Sequence, residues 1–164
     1  MELVRVILGV LALGVVVGGC GSSTDQVSGG LPLDANVRYQ FNDSSVPPAY
    51  HRSFELTVTA ERARLIVDSY GEILADKEVQ AVDAAWATLV KTYPQLESVA
   101  AVEPEQGCVG GTSRSLTITL GDKVLKEIFL DDCGGVNDDA ATAISDWVQP
   151  AKQLFPAIDV LAPS

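Results

Sequence analysis

The residues of this sequence best suited to chemistry are three thiols, one imidazole and a knot of carboxylates. Cys20, Cys108 and Cys133 are the only cysteines among 164 residues, and three cannot all pair. Cys20 closes the apolar stretch "VVVGGCGSSTD". Cys108 and Cys133 are each followed by glycines, in "CVGG" and "CGG". His51, the single histidine, sits in "PPAYHRSF". "DDCGGVNDD" gathers oxygen ligands that suit calcium, with Asp131, Asp132 and Asp138 as the candidate set. A catalytic set does not assemble from these parts. There is no G-x-S-x-G elbow, no phosphate-binding glycine loop and no C-x-x-C. One histidine makes no ready zinc set, and nothing fixes two carboxylates at a glycosidase separation. A lone histidine at the start of a strand reads as a rim residue rather than a base. The aspartate run lacks EF-hand spacing and a bidentate glutamate. Helix capping by Asn137, with Asp138 and Asp139 in the first turn, already accounts for it. The expectation is therefore no metal and no cofactor, with Asp131, Asp132 and Asp138 as the weaker alternative.

The unpaired thiol is explained by its position. Val6 to Val17 are apolar apart from glycines. That length suits the apolar region of an export signal and falls short of the roughly 20 residues of a membrane-spanning helix. Arg5 supplies a positive start, opposed by Glu2. The run ends Val17-Gly18-Gly19-Cys20, which resembles the lipobox of bacterial lipoproteins: an aliphatic residue, two small residues and the cysteine that receives a diacylglyceryl group. The commoner pattern has Leu in the first place and Ala or Ser in the second. The resemblance covers only the first 20 or so residues. It implies a signal peptide over 1–19, a thioether-linked lipid on Cys20 and the extracytoplasmic face of the cell membrane. Two or more acyl chains hold such a protein firmly, since each buried methylene adds roughly 0.8 kcal/mol. The competing reading is ordinary signal cleavage nearby, with Cys20 a bystander. Residues 20–35, rich in Gly and Ser, read as a tether spanning about 20 Å, leaving a single domain over 36–160.

Export favours a disulfide between Cys108 and Cys133. The two flank a hairpin: "SRSLTITL" alternates cleanly, Gly121-Asp122 is a two-residue turn, and "KVLKEIFL" returns. With Leu120 opposite Lys123 throughout, Cys133 would face Gly110 and Cys108 would face Gly135. The thiols are then offset by two residues, which a glycine-permitted bulge would have to correct. The bridge would staple the hairpin's open end, worth about 3.5 kcal/mol in the chain-entropy picture. A redox or nucleophilic thiol is the other reading.

The remaining elements follow from period. Val37, Tyr39 and Phe41 alternate, as do Phe54, Leu56 and Val58, and "RARLIVDSY" makes a third strand. Ser69 to Glu72 reads as a turn and Ile73-Leu74 as the start of a short fourth strand. Val79, Val82, Trp86, Leu89, Val90 and Tyr93 recur at helical spacing, with Asp76 placed to cap and Pro94 to stop. A second helix starts at Asn137 and carries Ala140, Ile144, Trp147, Val148, Ala151, Leu154 and Phe155. Pro150 should kink or divide it. The order predicts an α+β fold: an antiparallel sheet of about five to six strands, two helices packed on one face, and one disulfide-stapled hairpin.

Lys and Arg number 11 against 22 Asp and Glu, a formal charge of −11. Such a chain repels nucleic acid and anionic headgroups, so no nucleic-acid partner is expected. "NDSSVPPAYHR" is a proline-stiffened loop with Tyr50, His51 and Arg52, residue types enriched at recognition surfaces. Either these three contact a ligand, or the prolines simply turn the chain and Tyr50 packs beneath them. The exported part resembles small bacterial lipoproteins with a two-cysteine α+β domain, a resemblance that implies no activity. The reading is a lipid-anchored, non-enzymatic domain that binds an envelope protein or small ligand. The alternative is an exported inhibitor of a protease or hydrolase, inserting the loop at Val46 to Arg52; an enzyme is third.

Overall fold

The structure, a computed structural model, describes residues 30–103, 109–132 and 135–164. Cys20, Cys108 and Cys133, and with them the lipobox, most of the tether and the disulfide, lie outside the described residues.

Six strands form one antiparallel sheet in the order β4-β3-β2-β1-β5-β6. They are β1 (Ala35–Asn42), β2 (Ser53–Val58), β3 (Ala63–Ser69), β4 (Glu72–Val79), β5 (Thr112–Leu120) and β6 (Lys123–Asp132). Between β4 and β5 come α1 (Asp83–Thr92) and a 3-10 turn (Tyr93–Leu96), and after β6 come α2 (Asp138–Lys152) and α3 (Ile158–Leu161). Alternation decides which face of the sheet is dry. Val37 and Tyr39 line up with Leu56 and Val58, then with Leu65 and Ala63, and on the other side with Leu116 and Ile118. All of these are buried, in one core with Ala85, Trp86 and Leu89 of α1 and Ile144, Trp147, Val148 and Ala151 of α2. The opposite face carries Arg38, Gln40, Glu55, Arg64, Asp76, Ser115 and Thr117, tied by side-chain bonds such as Gln40 Nε2 to Glu55 at 2.9 Å. Leu31 and Ala162 are also buried, so the folded body begins before residue 36 and extends beyond 160.

Three local expectations are corrected. Asp76 caps no helix. The fourth strand runs on to Val79, and Asp76 lies opposite Ile66 with its carboxylate gripped by both Arg64 Nε (2.9 Å) and Nη2 (2.6 Å). A strand partner for β3 outweighs one turn of helix propensity, and the helix waits until Asp83. The guanidinium hydrogen bond holds the Asp76 carboxyl below its ordinary pKa. Second, Leu120 does pair with Lys123 and Thr119 with Val124, but the register then shifts, and Ile118 meets Lys126 and Leu116 meets Ile128. Leu125 is the extra residue. Without the shift Glu127 and Phe129 would face the core; with it Ile128 and Leu130 do, and both are buried. Third, Pro150 does not divide α2, which runs unbroken to Lys152 with the proline in its last turn.

Candidate functional site

One end of the sheet collects the irregular segments. The loop 43–52 leaves β1 and returns to β2, the Tyr70-Gly71 turn joins β3 to β4, and residues 109–111 and 135–137 flank β5 and β6. The loop is held rigid by its own polar atoms. Asp43 Oδ2 accepts from the Arg52 amide at 2.9 Å and the Asp43 amide donates to Ser53 Oγ at 3.0 Å, closing the loop at its base. Pro47 O accepts from the Tyr50 amide at 2.8 Å. The neighbouring turn reaches across: Ser69 Oγ donates to Pro48 O at 2.9 Å and Tyr70 Oη to Val46 O at 2.6 Å.

His51 lies under this loop, 5% exposed, with its ring stacked on Tyr70 at 3.9 Å. Its Nδ1 accepts from the Tyr70 amide at 3.3 Å, which leaves Nε2 to donate toward Ser53 Oγ at 3.4 Å. Arg52 is spent on backbone carbonyls. It donates through Nε to Ala162 O (2.6 Å), through Nη1 to His51 O (2.7 Å), and through Nη2 to Ala49 O (2.9 Å) and Pro163 O (2.8 Å). Of the three loop residues singled out by type, Tyr50 is left 65% exposed, and the other two brace the loop. Tyr50 forms one wall of an open cleft of about 520 Å³ with Ile158, Asp159, Ala162 and Pro163.

Tyr70 adds a second exposed ring, 57% exposed, beside Ile73. Its φ of 51°, followed by 89° at Gly71, is the left-handed pair of a type I′ hairpin turn. A tyrosine in that region is strained, and the strain persists because His51 and Val46 O fix the side chain. Gly71→Ala should cost about 1 kcal/mol from φ alone, since nothing lies within 4 Å of the added methyl. Thermal unfolding checks it, and an unchanged melting temperature would remove the strain argument.

No protein-family model and no curated protein matches this chain.

The three aspartates of the calcium alternative do not converge. Asp132 pairs with Arg114 and accepts from Thr112 Oγ1 at 3.1 Å, while Asp131 lies on the opposite face of β6. Among the described residues no group of three or more His, Cys, Asp or Glu is placed to hold a metal. Asn137 is buried at 2% and makes no side-chain cap bond. Its Oδ1 accepts from the Val102 amide at 2.9 Å, and its Nδ2 donates to Val102 O (3.0 Å) and Asp131 O (2.9 Å). It clamps the segment before β5 to the end of β6. Arg114, Ser145 and Lys152 belong to no motif that would single them out in the sequence. Arg114 stands inside an alternating strand at a position facing the core side, the one available signal that it is unusual.

Proposed function

We propose that the chain is a lipid-anchored, extracytoplasmic, non-enzymatic binding domain, tethered through Cys20 and recognising an envelope protein with the braced loop at Tyr50 and the Tyr70 turn. The observation that carries this is the rigidity of an exposed aromatic. Ordering a loop on binding costs free energy, and here Asp43, His51 and Arg52 have ordered it beforehand. Tyrosines on such a surface supply large contact area with few rotors to freeze. A disulfide between Cys108 and Cys133 remains part of the proposal for the hairpin.

Two results test it. Cys20→Ala should move the protein from the membrane fraction to the soluble one, or leave it as uncleaved precursor. A mature, cleaved wild-type protein with a free Cys20 thiol by mass spectrometry would end the lipoprotein reading. Tyr50→Ala should leave stability within about 0.5 kcal/mol, as an exposed side chain away from the core. A photo-crosslinker at position 50 should give a discrete adduct in intact cells, and one at Phe129, on the far edge strand, should not. Equal labelling at both would sink the docking surface.

The inhibitor alternative is favoured by one fact: the loop is braced by Arg52 and the His51–Tyr70 stack. Its rigidity therefore does not depend on a disulfide elsewhere. Identification of the adduct as a protease or hydrolase would select it.

A further inference from the structure

His51, the single histidine of the chain, is buried under the loop that carries Tyr50. We propose that it is a proton switch: the loop 43–52 and the Tyr70 turn hold together only while its ring is neutral, and mild acid releases them from each other. The inference rests on the Tyr50 reading above for its consequence, since the loop released is the one that presents Tyr50.

The argument starts from a donor that cannot change its role. The Tyr70 backbone amide points at His51 Nδ1 from 3.3 Å. An amide N–H only donates, so Nδ1 must accept, and its lone pair must be free of a proton. The other nitrogen, Nε2, lies 3.4 Å from Ser53 Oγ, which already accepts from the Asp43 amide at 3.0 Å. The ring is thereby fixed as the neutral tautomer with its proton on Nε2. Protonation puts a hydrogen on Nδ1, and two N–H groups then face each other. Turning the ring over brings only a carbon to that amide.

The surroundings do not offset the added charge. The titratable and charged groups about the ring are Asp43 and Arg52 of the loop, Asp68, Tyr70 and Glu72 of the turn, and Asp159 of the segment that Arg52 clips. No carboxylate stands within salt-bridge distance of the ring among the described residues. Asp43 gives its oxygens to the Ser44 and Arg52 amides, and Asp68 accepts from the Gly71 amide. The Tyr70 ring, stacked at 3.9 Å, attracts a cation, but a buried imidazolium needs an acceptor for each N–H, and Nδ1–H has none.

The contacts at stake are those that join loop to turn: the Tyr70 amide on His51, Ser69 Oγ on Pro48 O and Tyr70 Oη on Val46 O. Tyr70, held at a φ of 51°, relaxes once its amide is let go. An open loop takes the proton and the closed one has no lone pair left for it, so acid shifts the population toward the open form.

The test is hydrogen exchange on the full chain in detergent at about pH 7.5 and about pH 5.5, a range in which histidine titrates and surface carboxylates stay mostly ionised. Protection, with the intrinsic rate at each pH divided out, should fall by roughly tenfold over residues 44–50 and 69–71, the loss expected for one broken hydrogen bond, while β1 and β5 keep theirs. His51→Gln, which does not titrate, should show equal protection at both pH values. Because glutamine can leave the loop open throughout, a second measurement reads the wild type directly. The nitrogen-15 spectrum of this one imidazole at the higher pH should show Nδ1 bare and Nε2 protonated. Unchanged wild-type protection in acid, an equal loss in His51→Gln, or a proton on Nδ1 at the higher pH would overturn the switch. In intact cells, crosslinking from position 50 should drop on the same acidification. Exchange needs no partner, so its failure overturns the switch alone, whereas absence of an adduct at every pH overturns the docking reading alone.

Discussion

Asn137→Asp is expected to cost about 4 kcal/mol, although aspartate caps a helix N-terminus as well as asparagine does. The cost follows from where the amide points. Nδ2 donates to Val102 O and Asp131 O, and Asn137 is buried. Aspartate keeps the acceptor for the Val102 amide and loses both donors. It strands two carbonyl oxygens and turns a buried carboxylate toward them. Each unsatisfied buried group costs about 1–3 kcal/mol, and a buried unpaired charge costs more. Asn137→Ser, another good cap, should lose most of the same amount because its hydroxyl cannot span the clamp. Denaturant unfolding followed on the fluorescence of Trp86 and Trp147 measures both. Full stability in either variant would return Asn137 to a capping role.

Arg52→Ala ranks second, at about 2–3 kcal/mol. Of four hydrogen bonds from one cation to backbone carbonyls, two tie the loop 43–52 to residues 162 and 163, and two hold Ala49 O and His51 O within the loop. Bonds to charged groups run at about 1.5–3 kcal/mol each, but these share one side chain, are partly exposed and are not additive. Arg52→Lys should recover less than half, because a single ammonium cannot copy a planar fork. Hydrogen exchange should speed up over residues 44–50 and 158–163 together, showing that one residue couples two segments remote in the chain. Faster exchange in only one of them would mean that the clip is not shared.

Tyr50 depends on that clip. A loop loosened by Arg52→Ala would have to be ordered again on binding, so crosslinking at position 50 should fall even though Tyr50 itself is unchanged.

What was legible in the sequence was whatever local periodicity encodes. The alternation at Val37, Tyr39 and Phe41 and at Leu116 and Ile118, the Gly121-Asp122 turn and the stop at Pro94 each depend on neighbours within a few positions. Each appears as expected. The helical stripe through Trp86 and Leu89 was visible too, but its start was not. Asp76 serves equally well as a cap or as a strand residue, and only Arg64 on the adjacent strand decides. The lipobox-like run at Val17 to Cys20 is likewise a matter of sequence alone, and the export and lipid anchor that it implies belong to the proposal.

Tertiary structure decided the rest. The extra residue at Leu125 is chosen by which side chains of β6 must face a core built by α1 and α2, so hairpin alternation cannot announce it. His51 and Arg52 look like display residues by type and become struts because Tyr70 and Ala162 happen to lie against them, the latter 110 positions away. Asn137 reads as a cap by its place in the chain and acts as a clamp because Val102 passes beside it. In each case the side chain's partner is remote in sequence, and a polar group's role is set by the partner it finds when water is removed.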